Sequence, residues 1–123
     1  MDYLELKMDI DNHLKRLYSS PGQLAEPTRL ATELVIIGTY KINMVELANE
    51  LTHLAETRKS EVYYKLMATS TVSRAREECR MDKTYLQAKK NSEFVVAYLK
   101  EVGSLVSTVQ TYLKWKGQES SLA

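Results

Sequence analysis

Two long stretches of the chain repeat apolar residues at alternating spacings of three and four, which is typical of α-helices that pack side by side. In residues 30–62, eight of the ten positions on this repeat are apolar, and Lys41 and Arg58 are the exceptions. In residues 95–112, all six positions are apolar or aromatic. The apolar positions are Leu30, Leu34, Ile37, Met44, Ala48, Leu51, Ala55 and Val62, followed by Val95, Tyr98, Val102, Leu105, Val109 and Tyr112. The repeat predicts an all-α fold: an elongated antiparallel helical hairpin or coiled coil.

Residues that favour caps and turns mark the ends of the predicted helices. Asp2 followed by Glu5 is typical of a capping box, and Pro27 suits a first helical turn because its missing N–H needs no partner there. Gly117 is a natural helix stop. The sequence therefore predicts one helical domain over residues 1–123. Its parts are a short N-terminal helix at 1–18, a turn at 19–22, long helices at 27–69 and 74–116, and a flexible tail at 117–123.

Gly38 leaves one alternative open inside the first long helix. Asn43 and Glu46 could cap a new helix after a break at Gly38, which would give a helix-turn-helix within residues 30–54. The segment after Asn43 carries acidic residues and no Lys or Arg before Arg58, so its field would repel DNA. This alternative predicts a preference for a particular duplex sequence.

The net charge of +1 conceals an uneven distribution of charge along the chain. Residues 58–90 hold nine Lys and Arg against four Asp and Glu, whereas residues 1–57 hold five against nine. Local Lys and Arg density, rather than net charge, governs binding to phosphate backbones. In an antiparallel hairpin, the cations before and after the bend converge. These candidate nucleic-acid-binding residues are Arg58, Lys59, Lys65, Arg74, Arg76, Arg80, Lys83, Lys89 and Lys90.

Three tyrosines are interleaved with these cations: Tyr63, Tyr64 and Tyr85. Cations that follow the phosphates, combined with rings that stack on bases, are the ingredients of sequence-tolerant binding to single strands. The pattern predicts single-stranded nucleic acid as the partner, with the three rings as candidate base-stacking groups. Aromatic residues on a helical bundle are also often packed in its core, which is the structural alternative.

Ordinary surface pairing is the competing interpretation of the basic segment. Glu61 precedes Lys65 by four residues and Glu77 precedes Arg80 by three, and such pairs contribute only a few tenths of a kcal/mol to a helix, roughly. If this interpretation holds, the chain is a structural or adaptor coiled-coil protein that recognises other proteins through its apolar faces.

Catalytic and metal-binding signatures are weak in this sequence. Glu50 and His53 have the spacing of a di-iron ligand pair, but such a site needs a second Glu-x-x-His and two further Glu residues. There is no Gly-rich phosphate loop, and the single Cys79 has no evident nucleophile–base partner. The sequence predicts no enzyme activity, no metal and no cofactor.

Location and assembly follow from the same composition. The longest aliphatic run covers residues 34–37, far below a membrane span, and the N-terminus lacks the pattern of a secretion signal. A lone cysteine fits a reducing compartment, so the prediction is a cytoplasmic protein with no membrane partner. An elongated helical chain buries little apolar surface by itself, which predicts a helical homo-oligomer.

The order of these features resembles the UvsY-like recombination mediators, small helical recombination-accessory proteins of tailed phages. A short acidic helix, a long helix that becomes basic, a bend rich in Ser, Thr, Arg and Lys, and a last apolar helix ending in residues 112–116 carry the resemblance. It covers residues 30–116 and is one of architecture rather than of a diagnostic motif. In this family, a basic mid-chain region binds single-stranded DNA. Arg58, Lys59 and Lys65 match that basic stretch.

The resemblance implies a non-catalytic accessory protein in DNA recombination. Proteins of that family form ring-like homo-oligomers and help to load a recombinase onto DNA coated by a single-strand-binding protein. It therefore implies single-stranded DNA, a recombinase and a single-strand-binding protein as partners, in the host cytoplasm of a phage-encoded protein.

Overall fold

Helices dominate the computed structural model, which describes residues 2–122 and the side chains of residues 2–118. The elements are α1 (Tyr3–Lys15), β1 (Tyr18–Ser20), β2 (Gln23–Leu24), α2 (Pro27–Met67), α3 (Val72–Cys79) and α4 (Lys83–Leu122). α2 packs against α4. The prediction of an all-α helical hairpin is therefore confirmed, whereas the homo-oligomer stays a prediction. None of these helices combines the length and apolar character needed to cross a membrane.

The described chain divides into two compact units that share both long helices. Unit 1 contains the residues up to Val45 and those from Tyr98 onward, and unit 2 contains residues 46–97. α2 and α4 each contribute one part to each unit. The single domain predicted over residues 1–123 stays a prediction.

In unit 1, α1 packs on α2 and α4 through apolar residues at the predicted spacings. Buried side chains recur every seven residues along α2 and again along α4, as expected when one heptad position faces the centre of a small bundle. Leu105, also a predicted core position, is instead substantially exposed. The buried apolar residues of unit 1 include Leu6, Ile10, Leu17, Leu30, Ile37, Met44, Tyr98, Val102 and Val109.

Polar contacts fix the position of α1 in this unit. The Tyr98 hydroxyl donates a hydrogen bond to Asp11 Oδ1 at 2.5 Å, and Lys7 Nζ lies 2.8 Å from Asp11 Oδ2. Burial, together with the Asp11 carboxylate, raises the pKa of Tyr98. Burial works against ionisation of Asp11, but the hydrogen bonds from Lys7 and Tyr98 outweigh it and lower the pKa of this carboxyl. On the other side of α1, His13 Nδ1 lies 2.5 Å from the buried Glu33 carboxylate.

A short β-hairpin, which the sequence analysis did not predict, joins α1 to α2. β1 pairs antiparallel with β2, and Gly22 in the turn between them has φ of 78°. Pro21 followed by a Gly at positive φ is the combination that a type II turn requires. The turn predicted at residues 19–22 is found only at 21 and 22, because residues 19 and 20 belong to β1. α1 ends at Lys15, three residues before its predicted end.

α2 continues without interruption past Gly38. No second helix starts at Asn43, so the helix-turn-helix alternative is wrong for this stretch. A Cβ atom added at Gly38 would meet nothing within 4 Å. The glycine is therefore required neither by a turn nor by a close neighbour within the described chain.

Replacing Gly38 with Ala should stabilise the folded protein. Ala loses less backbone entropy than Gly on entering a helix, and the added methyl group has open space. We expect the free energy of unfolding to rise by about 0.5–1 kcal/mol, measured by urea denaturation at a protein concentration low enough to exclude self-association. A lower free energy of unfolding in this variant would show that α2 needs the glycine.

In unit 2, α2 and α4 approach each other at small side chains. Ala48 and Ala55 are buried on α2, and the hydroxyl groups of Thr52 and Ser92 lie 2.7 Å apart between the two helices. The short helix α3 packs on this unit through its two buried residues, Ala75 and Cys79. The Thr71 side chain caps α3 by accepting a hydrogen bond from the backbone N–H of Arg74.

The predicted long helix over residues 74–116 is wrong at both ends. At its start, the chain forms α3, leaves the helix after Cys79 and begins α4 at Lys83. Asp82 causes this second start because its carboxylate accepts a hydrogen bond from the backbone N–H of Tyr85 at 3.0 Å, which caps a new helix. At its end, α4 continues through Gly117 to Leu122, so the predicted flexible tail is helical over 117–122, and residue 123 lies outside the described chain.

Candidate nucleic-acid interface

Where α3 packs against the last turns of α2, unit 2 forms an open cleft of about 370 Å³. Arg76 of α3 and Arg80, the residue that follows α3, supply two cations, and α2 supplies a third cation and two aromatic rings. We call this the cationic cleft; it is lined by Lys59, Ser60, Tyr63, Tyr64, Arg76, Cys79 and Arg80. Five of the predicted site residues are thus brought together.

The two adjacent tyrosines of the cationic cleft differ in their exposure. Tyr64 is 73% exposed, and its ring centroid lies 5.5 Å from that of Tyr63, with the two planes at 72°. Edge-to-face rings at this distance support each other and leave one ring face of Tyr64 accessible. Tyr64 is therefore the best-placed ring for stacking on a base.

Tyr85, the third tyrosine predicted to stack on bases, is buried. It is only 6% exposed, and Lys59 Nζ lies 5.6 Å from the centre of its ring. A buried ring covered by a lysine has no free face for a base. The prediction that Tyr85 stacks on bases is therefore wrong for this structure, because the residue completes the core of unit 2 instead.

Arg58 holds the connection between α2 and α4. Its Nε lies 2.9 Å from Asp82 Oδ2 and its second guanidinium contact, from Nη2 to Oδ1, measures 3.1 Å. The Arg58 guanidinium, followed by the backbone N–H of Tyr85, holds the pKa of Asp82 below its ordinary value. Arg58 was predicted to bind phosphate, but its guanidinium group forms a bidentate ion pair with the Asp82 carboxylate instead.

Two more predicted cations have acidic neighbours on their own helices. Arg74 Nε lies 2.7 Å from Glu78 Oε1 on the exposed side of α3, and Lys59 Nζ lies 3.1 Å from Glu56 Oε2 on α2. Exposed pairs one turn apart are weak and exchange readily with solvent. Both cations can therefore leave these partners, whereas Arg58 cannot do so without loosening the start of α4.

The other predicted cations make no ion pair within the described side chains, but they do not form one surface. Lys83 lies in a separate groove with Leu51 and Leu54. Tyr63 follows Leu54 by nine residues, so at about 100° per residue the two side chains leave α2 in opposite directions. Lys90 lies apart again, with its Nζ 5.9 Å from the Phe94 ring. The unpaired predicted cations are Lys65, Arg76, Arg80, Lys83, Lys89 and Lys90.

The predicted patch of nine cations is therefore divided by the structure. Only Lys59, Arg76 and Arg80 share the cationic cleft with accessible aromatic residues. Sequence reasoning missed Ser60 and Cys79 as lining residues. The signal that could have found Cys79 is its spacing of four from Ala75, which marks the face of α3 that packs inward.

The described residues offer no group of side chains suited to bind a metal ion. In residues 2–122 there is no group of three or more His, Cys, Asp and Glu side chains that could hold a metal ion. Glu50 and His53, the pair with di-iron spacing, are both exposed on α2. The chemistry that the cationic cleft offers is electrostatic attraction and stacking.

Comparison with known proteins places no further constraint on function. No protein-family model, no curated protein and no solved structure matches this chain.

Proposed function

We propose that this protein is a non-catalytic accessory protein that binds single-stranded DNA through the cationic cleft of unit 2. The observation that carries the proposal is the placement of Lys59, Arg76 and Arg80 around the exposed ring of Tyr64. Phosphates are attracted to the cations, and a base stacks on the ring with a contribution of about 1–3 kcal/mol.

Single-stranded rather than duplex DNA is favoured because stacking needs an unpaired base. The polar groups of the cationic cleft are three cations, the hydroxyls of Ser60, Tyr63 and Tyr64, and the Cys79 thiol. Arg76 and Arg80 are exposed, and no ion pair within the described side chains holds them in the fixed orientation needed to read a base edge. Binding is therefore tolerant of sequence. One cleft with three cations binds weakly, so several copies on one strand are needed for high avidity.

The biological role that we propose is that of a recombination mediator. The resemblance to UvsY-like proteins supports this role through the order of the helices and the basic region. In this proposal, the protein acts as a homo-oligomer in the cytoplasm of a phage-infected host cell and helps to load a recombinase onto DNA covered by a single-strand-binding protein.

The alternative is a structural or adaptor protein that binds another protein and no nucleic acid. A second groove of unit 2 favours it: a largely apolar groove of about 430 Å³, of a kind suited to an amphipathic helix. It is lined by Leu51, Leu54, Lys83, Thr84, Gln87, Ala88 and Asn91.

Salt dependence separates these two functions. Each phosphate contact to a single strand contributes about 0.7 to the slope of log affinity against log salt, so three cations predict a slope of about −2. We expect the affinity for a fluorescein-labelled oligothymidylate to fall about 15-fold between about 50 and 200 mM salt, measured by fluorescence anisotropy. Absence of binding at the lowest salt concentration, or a slope near zero, would leave the adaptor function.

A further inference from the structure

The face of α2 that points away from the core of unit 1 is unusually apolar for an exposed surface. Val35 is 71% exposed, Ile42 is 64% exposed and Val45 is 43% exposed. Ile37 and Met44 lie on the other side of the same helix and are fully buried. α2 is therefore apolar on both sides in this unit, whereas a helix at the surface of a single chain normally has one polar face.

From Thr28 to Val45, over five helical turns, the same face carries no charged residue, and the exposed Glu46 bounds it at its C-terminal end. We call it the neutral face; it consists of Thr28, Ala31, Thr32, Val35, Gly38, Thr39, Ile42 and Val45. The hydroxyl of Thr32 donates to the carbonyl of Thr28 at 3.0 Å, and that of Thr39 donates to the carbonyl of Val35 at 3.2 Å. These hydroxyl protons are already used within the helix. Depletion of charge at the centre of an exposed patch is the compositional mark of protein interfaces.

Gly38 lies in the middle of the neutral face, between Val35 and Ile42. It has a helical conformation, and the space above it is open. A glycine in a helix interior costs roughly 0.5–1 kcal/mol relative to alanine, and no contact within the described chain requires it. A surface without a side chain at this point lets a second helix approach the backbone of α2 closely.

We infer that the neutral face is the contact surface for a second copy of this chain, with the two α2 helices crossing antiparallel at Gly38 about a two-fold axis. An uncharged surface meets itself without bringing like charges together, whereas a charged partner would leave its own charges unpaired. An axis between Gly38 and Thr39 pairs Val35 of one copy with Ile42 of the other. It also pairs Thr32 with Val45. Each exposed aliphatic side chain then has a partner.

This inference deepens the homo-oligomer of the proposed function, on which it rests, and does not depend on nucleic acid. It assigns a surface and a symmetry to self-association. The resulting particle carries two cationic clefts, so a strand long enough to reach both binds with higher avidity than it binds one.

The mass of the particle, measured by sedimentation equilibrium without DNA, tests this surface. We expect the wild-type protein to have the mass of two copies at micromolar concentrations. Ile42→Lys would bury two unpaired ammonium groups in the interface, so we expect the dissociation constant of the dimer to rise at least about 100-fold. Met8→Lys is the matched control, since Met8 is 65% exposed on α1 of the same unit, and its dimer should be unchanged.

A second variant distinguishes a defined crossing of the two α2 helices from non-specific hydrophobic association. Gly38→Leu adds an exposed apolar side chain where the helices should touch. A close crossing at Gly38 predicts that this variant dissociates at least about 10-fold more readily, whereas non-specific hydrophobic association predicts that it associates more strongly. Circular dichroism should show unchanged helix content in all three variants because every substituted position is exposed or open.

Three results would overturn the inference. They are a monomeric wild-type protein at all accessible concentrations, an assembly whose mass Ile42→Lys does not change, and stronger association of Gly38→Leu. A ring of more than two copies whose mass is unchanged by Ile42→Lys would also overturn it, because the neutral face would then not be the contact surface. Arg76→Ser with Arg80→Ser should leave the dimer mass unchanged, so a failure of the interface and a failure of the cationic cleft give different results.

Discussion

Replacing both Arg76 and Arg80 with Ser is expected to lower the affinity for an unstructured oligonucleotide about 30-fold, which corresponds to about 1 kcal/mol for each solvent-exposed cation. Both guanidinium groups line the cationic cleft, and neither forms an ion pair within the described side chains. Their removal therefore leaves no carboxylate unpaired, and the helix content should be unchanged. The salt slope should become shallower by about 1.4, because two phosphate contacts are lost.

The control for this variant changes the charge by the same amount at positions outside the cationic cleft. Lys83→Ser with Lys90→Ser also removes two positive charges from unit 2, but these side chains lie in other grooves. If the cationic cleft is the binding site, the control should lose less than about threefold in affinity. Equal losses in the two double variants would show that binding follows overall basic charge, and would reject the cleft as a defined site. Anisotropy titrations at a single low salt concentration are sufficient for this comparison.

The helices could be predicted because the apolar repeat is strong and continuous. Leu30, Ile37 and Met44 are buried as the three–four spacing predicts, and Val95, Val102 and Val109 repeat the pattern on α4. The same repeat does not say how many neighbours each helix has. Leu105 fits the repeat as well as Val102 does, yet it is exposed, whereas Tyr98, seven residues earlier on the same heptad position, is buried and hydrogen-bonded to Asp11 of α1.

The ends of the elements were harder to predict because single hydrogen bonds decide them. Gly117 was expected to end the last helix. A glycine can also lie within a helix, and α4 continues past Gly117. At Asp82, by contrast, a helix that was predicted to be continuous is interrupted. Its carboxylate caps α4 and binds Arg58 at the same time, which separates α3 from α4. Sequence spacing did not show that Arg58 and Asp82 meet, since they are 24 residues apart.

The candidate site was predictable in composition but not in arrangement. Charge counting selected nine cations, because it cannot separate Arg58, which is held by Asp82, from Arg80, which is free of ion pairs in the described chain. The packing of α3 decides which cations share a surface with Tyr64. This packing depends on two small buried residues, Ala75 and Cys79, which charge counting ignores.

Ala75→Gln should therefore weaken DNA binding without changing any charge. Ala75 is fully buried, and a larger polar side chain there costs about 1–3 kcal/mol from overpacking, with a similar cost if its amide is left unpaired. α3 has eight residues, too few for a stable helix in isolation, so loss of its packing should also melt it. Arg76 and Arg80 would then lose their fixed positions beside Tyr64.

We expect Ala75→Gln to bind oligothymidylate more weakly than the wild-type protein does. Its affinity should lie within about threefold of the affinity measured for the double variant that carries Arg76→Ser and Arg80→Ser. Circular dichroism should show a loss of helix no larger than α3, and amide exchange should show that α3 has become unprotected. Ala68→Gln is the matched control, because Ala68 is exposed in the connection just before α3, and its affinity should be unchanged. If α3 becomes unprotected in Ala75→Gln while the affinity persists, a locally high density of Arg and Lys is sufficient for binding. Binding would then need no preformed cleft, because cations on an unfolded segment would attract the phosphates as well as cations on a docked helix do.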